Sequence, residues 1–396
     1  MELSVLFLWN LWWLCLAVKS REKRGLAIAC LIPGWLLFLW GHRILIPLIG
    51  AGVWMGTLAG YGICINNCFL ENIGRKNKVV FPVWEKILLG LTTGSAAWMV
   101  LVCAVSLTEH GGIGLWRKLA LLLALGIAAI SLWKNKKNFG RSVDNCLKTE
   151  QMSGMKKQNV VSKCSNLFRA VMPETVLQAA LLAFIFTMFF LQAGRLNHEL
   201  DYDSLHYGLR SAYVLDNGNG IYKNLGLINL VYTYSKGAEV LVFPLSGTPT
   251  YGFVLSFTFW TTIVSVVTAA VMGARFSGKT AGFWTGALVS AIPGIMNMAV
   301  SAKSDSITLM CQLIIYDFLC LAVVRENIWL IFAVAVYFLS LVYKPTALVF
   351  STALGGVGLV SLLIFKKTGK PEKRAFLTWI LPLFATAGLW YRTWLL

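Results

Sequence analysis

Residues 174–220 read ETVLQAALLAFIFTMFFLQAGRLNHELDYDSLHYGLRSAYVLDNGNG, and the character of the chain turns over halfway along them. From 174 to 194 the only ionisable group is Glu174, at the start of the run. A helix needs roughly 20 apolar residues to cross about 30 Å of hydrocarbon, and this stretch meets that length. Past Arg195 the composition reverses: His198, Glu199, Asp201, Asp203 and His206 crowd into a short polar loop. Charge is costly in a bilayer, so a place where it concentrates is a place to look for chemistry. After Asp203, the run SLHYGLRSAYVL sets Leu205, Leu209, Ala212 and Tyr213 at helical spacing, with His206 and Arg210 elsewhere on the wheel. Asp203 stands where an N-cap would stand, and NGNG (217–220) ends the helix. A second amphipathic piece, roughly Leu227 to Phe243, carries Tyr232, Tyr234, Lys236 and Glu239. Helices apolar on one side only are expected to lie on a membrane surface.

The rest of the chain fits a membrane setting. It is 57% hydrophobic and 13% charged, with a mean hydropathy of +0.69, against about 25% charged residues in soluble domains. The expected fold is all-α, a polytopic integral membrane protein. Apolar runs predict about twelve spans, near residues 3–18, 25–41, 44–66, 87–107, 117–133, 174–194, 250–272, 280–300, 305–323, 327–342, 345–365 and 376–394. The first run has no basic stretch before it and KSREKR (19–24) after it, so it reads as a retained helix with the N-terminus outside, not a cleaved signal.

Loop charges follow that assignment. Segments 19–24, 71–86, 134–173, 274–279, 324–327 and 366–374 all carry Lys or Arg and fall on the inner side. GHR (41–43), TEHGGIGL (108–115), the large 195–249 loop, SAKSDS (301–306) and YKPT (343–346) fall on the outer side and are sparser in charge or mixed in sign. Three regions result: a five-helix N-terminal part (1–133), a basic cytoplasmic linker (134–173), and a seven-span module (174–396) holding the outer loop. The net charge of +18 is thereby explained by topology, which leaves no call for a nucleic-acid partner. Nine cysteines are scattered without a CxxC spacing, so neither a disulfide framework nor a zinc site is supported.

A span followed by an outer D-x-x-x-Y motif that opens an amphipathic helix resembles the first external loop of the GT-C glycosyltransferases. These are polytopic enzymes that take sugars from polyprenyl-phosphate donors. The resemblance covers 174–396 and implies that Asp203 is the reactive carboxylate, with Tyr207 matching the tyrosine four residues on. Ser204 stands where many members carry Glu, so Asp201 is expected to supply the second carboxylate. Asp305 in SAKSDS fits the slot of a further acid. Lys344 in YKPT matches a Lys-Pro-Thr helix start, and WYRTWLL would bring Arg392 to the outer face. The implied site has Asp203 and Asp201 as catalytic groups, with Asp201 and Asp305 holding a divalent cation (Mg or Mn). Lys344 and Arg392 would bind the donor phosphate, and His206, Tyr207 and Glu239 would contribute nearby. The implied partners are a polyprenyl-phosphate-linked sugar, a cell-envelope glycan or lipid acceptor, and membrane lipids, at the plasma (inner) membrane of a bacterium. The resembling enzymes continue with further helices, so a truncated and inactive product is one expectation.

Plainer roles stand beside each of these. Asp203 and Asp305 could simply cap helices. Lys303, Lys344 and Arg392 could anchor at the interface, and His198, His206 and Glu239 could be solvated. Asp317 is the one acid well inside a span, and is expected to pair with a neighbouring helix. A transporter or flippase of lipid-linked sugars is the rival function, although transporters place their charges near the midplane and this chain puts most of them at the rim.

Overall fold

The computed structural model describes residues 1–20, 22, 24–77, 81–149, 172–197, 202–209, 217–223, 235–248, 250–326, 328–365 and 373–395. Among them there is no β-strand, and the architecture is all-α. The helices are α1 (Glu2–Lys19), α2 (Arg24–Gly41), α3 (Leu45–Asn77), α4 (Val83–Ser106), α5 (Ile113–Thr149), α6 (Val176–Ala193), α7 (Gly237–Val242), α8 (Gly252–Ser277), α9 (Lys279–Ala291), α10 (Pro293–Met298), α11 (Asp305–Val324), α12 (Ile328–Ser340), α13 (Ala347–Phe365) and α14 (Ile380–Leu395). Eight of these, α1 to α6 with α8 and α11, are long and apolar enough to cross a membrane.

Of the remaining four expected spans, 345–365 is the 19-residue helix α13, and the other three are shorter or interrupted. The run at 280–300 breaks after α9, where Ile292 is extended ahead of Pro293, as a residue preceding proline favours. α12 has 13 helical residues. The last run opens with a tight 3₁₀ segment, Lys373–Trp379, before α14. α5 carries on through the start of the basic linker to Thr149; residues 150–171 lie outside the described residues.

Two helices form the centre. Most of α4 and α8 is buried, whereas little of α1, α2 and α5 is. The peripheral helices expose large apolar side chains such as Trp12, Leu37 and Leu122, which suits a lipid surround. α3 and α4 approach to backbone contact through Gly62, Gly90 and Gly94: a Cβ on Gly62 would sit 1.8 Å from the Gly90 carbonyl oxygen. Small residues at a crossing are how membrane helices pack closely when no water drives them together. α8 turns into α9 through Gly278, whose φ of +83° suits glycine. Thr175 caps α6 by accepting the Gln178 N–H at 3.2 Å.

The turns 41–45, 106–113, 299–305 and 340–347, and the segments 202–209 and 235–248, gather at one end of the bundle, here called the loop end. Of the second amphipathic piece, residues 227–234 lie outside the described residues, and the described part, 235–243, differs from its expectation there. α7 and the 3₁₀ turn Phe243–Leu245 do not lie on a surface: Val240, Leu241, Val242 and Phe243 are buried in the main core. The indoles of Trp54 and Trp98 donate to the carbonyls of Leu241 and Val240 at 2.8 and 2.9 Å, and Phe243 stacks on Trp116. The apolar face that suggested lipid meets tryptophan instead.

Candidate functional site

Three segments converge at the loop end. The first is the helical turn around Asp203, in which Ser204–Gly208 adopt a π-turn. Ser204 is fully buried, and its hydroxyl accepts the N–H of Ala302 at 2.8 Å. Gly208 packs so closely that a Cβ would fall 2.0 Å from the Ala302 carbonyl oxygen. This docking carries Asp203 to Lys303, whose Nζ lies 2.7 Å from its carboxylate. Asp203 occupies the N-cap position but makes no side-chain capping bond. Its carboxylate is about two-fifths exposed.

The second segment is 235–239. The Ser235 hydroxyl and the Gly237 N–H both donate to the carbonyl of Val342, at 2.8 and 3.0 Å. Between them Lys236 adopts a left-handed backbone with φ of +58°, which costs a non-glycine residue on the order of 1 kcal/mol. That turn buries the lysine, leaving its Nζ 3.3 Å from Glu239 Oε1. The third segment is the turn after α12, where Lys344 forms an ion pair with Asp305. Asp305 lies in the first turn of α11, where a negative charge complements the helix dipole.

Lys236, Glu239, Lys303, Asp305, Tyr343 and Lys344 line one cavity of about 440 Å³. Burial pushes the Tyr343 phenol well above its ordinary range, with a hydrogen bond to Ser95 acting the other way, so the group is a neutral donor or acceptor at physiological pH. Ammonium groups alternating with carboxylates can accept a phosphate on the former while the latter orient or deprotonate hydroxyls.

The residues singled out in the sequence are thus partly brought together. Asp305, Lys344 and Glu239 share the cavity, and Asp203 reaches it through Lys303. Arg392 is buried; its Nε donates to the Ile221 carbonyl at 2.9 Å, and it does not line the cavity. It remains within electrostatic reach of Glu239. Asp201 lies outside the described residues, as do the side chains of His206 and Tyr207. Among the described residues no three His, Cys, Asp or Glu side chains gather as metal ligands, and Asp305, one of the two expected cation ligands, faces an ammonium group. Lys236 was read from the sequence only as part of the second amphipathic piece, with no role at the site.

A second cluster lies toward the opposite end. Asp317 pairs with Arg275 of α8, as expected of an acid inside a span, and the same guanidinium pairs with Glu85 of α4. Arg275, read from sequence as an inner-loop charge, belongs to the last turn of α8 and is largely buried.

No protein-family model matches this chain, and neither does any curated protein or solved structure.

Proposed function

We propose that this chain is a membrane glycosyltransferase that moves a sugar from a polyprenyl-phosphate donor to a cell-envelope acceptor at the loop end. The distribution of Lys and Arg supports an outward-facing loop end, and the proposal sets it at the plasma membrane. The observation that carries the proposal is the cavity in which Lys236, Lys303 and Lys344 interleave with Glu239 and Asp305, next to Asp203. Asp203 removes the proton from an acceptor hydroxyl, and that oxygen attacks the anomeric carbon. The bond from that carbon to the phosphate oxygen breaks, and polyprenyl phosphate leaves. Lys344, with Lys303 and Lys236, neutralises the charge that develops on the leaving phosphate. Arg392 acts through Glu239, whose carboxylate lies within its electrostatic reach. In this scheme Asp201 and Asp305 are the groups that would meet a divalent cation.

The test is transfer by purified protein in lipid nanodiscs, with a radiolabelled polyprenyl-phosphate sugar and membrane extract as acceptor source. An Asp203→Asn protein that folds is expected to lose transfer at least a hundredfold, the lower range for removing a general base; transfer at the wild-type rate would end Asp203's role.

The buried charges at Glu85, Arg275 and Asp317 favour a second function, a transporter or flippase of lipid-linked sugars, because ionisable groups inside the bilayer mark transport pathways. Analysis of lipid-linked sugars in a deletion strain separates the two. Loss of a transferase accumulates donor on the outer leaflet, and loss of a flippase accumulates it on the inner one.

A further inference from the structure

Among the described residues, the cluster of Glu85, Arg275 and Asp317 is one positive charge short. Glu85 in the first turn of α4 is 1% exposed and Asp317 in α11 is 0% exposed. Arg275 offers one nitrogen to each, Nη2 to Glu85 Oε1 and Nη1 to Asp317 Oδ1. The second oxygen of each carboxylate, Glu85 Oε2 and Asp317 Oδ2, is buried and has no hydrogen-bond partner. Two carboxylates and one guanidinium leave a net charge of −1 in a site nearly sealed from water. A buried uncompensated charge costs several kcal/mol, and two carboxylates sharing a site do not both ionise readily.

We propose that Glu85 and Asp317 form a proton-binding site, with one proton held between them at neutral pH. The orphaned oxygens favour a proton over a metal ion. Hard cations collect six or more oxygen ligands, whereas a single proton converts one carboxylate into a donor and gives an orphaned oxygen a role. Among the described residues, the adjacent Lys86 is exposed, and Cys320 of α11, hydrogen-bonded to Tyr316, feels the charges of Asp317 and Arg275. Asp317 lies 12 residues into α11, roughly 18 Å along the helix from Asp305. The site is therefore separate from the cavity at the loop end and stands whichever function that cavity serves. It ties α4, α8 and α11 together through a group that can gain or lose charge, the arrangement a proton-coupled movement of those helices would need.

The experiment is infrared spectroscopy of the purified protein in lipid nanodiscs at neutral pH, comparing wild type with Asp317→Asn and Glu85→Gln. The wild type is expected to show the C=O stretch of a protonated carboxylic acid, shifted down in D₂O, which Asp317→Asn or Glu85→Gln removes. A wild-type spectrum without such a band overturns the proposal, as does a band that survives in both variants. Each amide keeps the shape of a neutral carboxyl, so at least one variant is expected to insert and fold as wild type does. Failure of both would mean that each position needs its full negative charge, and this too overturns the proposal.

Discussion

Replacing Gly94 with Ala tests whether the α3–α4 crossing supports the cavity. A Cβ at Gly94 would lie 1.8 Å from the Leu58 carbonyl oxygen, where an ordinary contact begins at 3.4 Å, so the helices must part by about 1.6 Å. The obstacle is backbone and cannot rotate away. A gap of 0.5–1 Å already forfeits about a quarter to a half of each dispersion contact, and overpacking a tight core costs about 1–3 kcal/mol or more. Alanine returns roughly 1 kcal/mol through helix propensity; because the 1.8 Å contact is with backbone, the cost lies at the upper end of that range and the net loss reaches about 2 kcal/mol. The displacement is also transmitted. Trp98 sits one turn beyond Gly94 and Trp54 packs edge-on against it at 4.9 Å, and these two indoles hold the chain that carries Lys236 and Glu239. Thermal melting in nanodiscs should show Gly94→Ala clearly destabilised, while Gly56→Ala on α3, where a Cβ meets nothing within 4 Å, melts at or above wild type. Equal melting temperatures for the two variants would refute the backbone contact.

Trp98→Phe should cost about 1–3 kcal/mol, because the Val240 carbonyl is left buried without its donor. A double variant with Trp54→Phe should show a non-additive loss, since the adjacent carbonyl depends on it; melting curves of the four proteins give the coupling. Arg275→Met leaves two buried carboxylates without their cation and should lower stability by about 3–5 kcal/mol, read as loss of the monodisperse peak on heating. Lys303→Gln breaks a partly exposed pair with Asp203 and should change stability by less than about 1 kcal/mol. Under the transferase proposal its effect appears in donor KM instead, measured by initial rates.

Much of the fold was legible because the bilayer punishes exposed charge so strongly that apolar runs and basic loops alternate along the whole chain. The helix breaks were less so. Pro293 stood in plain view, but a hydropathy window averages over it and hides the extended Ile292. α7 was misplaced for a different reason. An amphipathic pattern reports only that one face avoids water, and it reads the same whether that face meets lipid or Trp54, Trp98 and Trp116. Asp305 and Lys344 were singled out through short motifs that resemble GT-C enzymes, and Glu239 as a charge in a chain where charges are rare; all three line the cavity. Ser204 was noted only as a departure from an acidic position, while its hydroxyl anchors the Asp203 turn to Ala302. Arg275 was hidden by the rule that explained the other basic residues, since a guanidinium at a helix end looks like topology until its two carboxylates arrive from α4 and α11, far away in sequence.

The pair of Asp305 and Lys344 offers a test that separates two roles for the acid. If Lys344 binds the donor phosphate, then Asp305 competes with the donor for that ammonium group. Side chains about one-third exposed form a pair worth about 0.2–1 kcal/mol. Asp305→Asn should therefore release Lys344 and lower donor KM roughly 1.5- to 5-fold, while Lys344→Gln raises it. If Asp305 instead holds a divalent cation that bridges to the phosphate, losing the carboxylate removes a donor contact. Both substitutions would then raise KM, and added Mg²⁺ would partly restore Asp305→Asn. The sign of the Asp305→Asn effect decides between competitor and cation ligand, and it does so without knowledge of which sugar is carried.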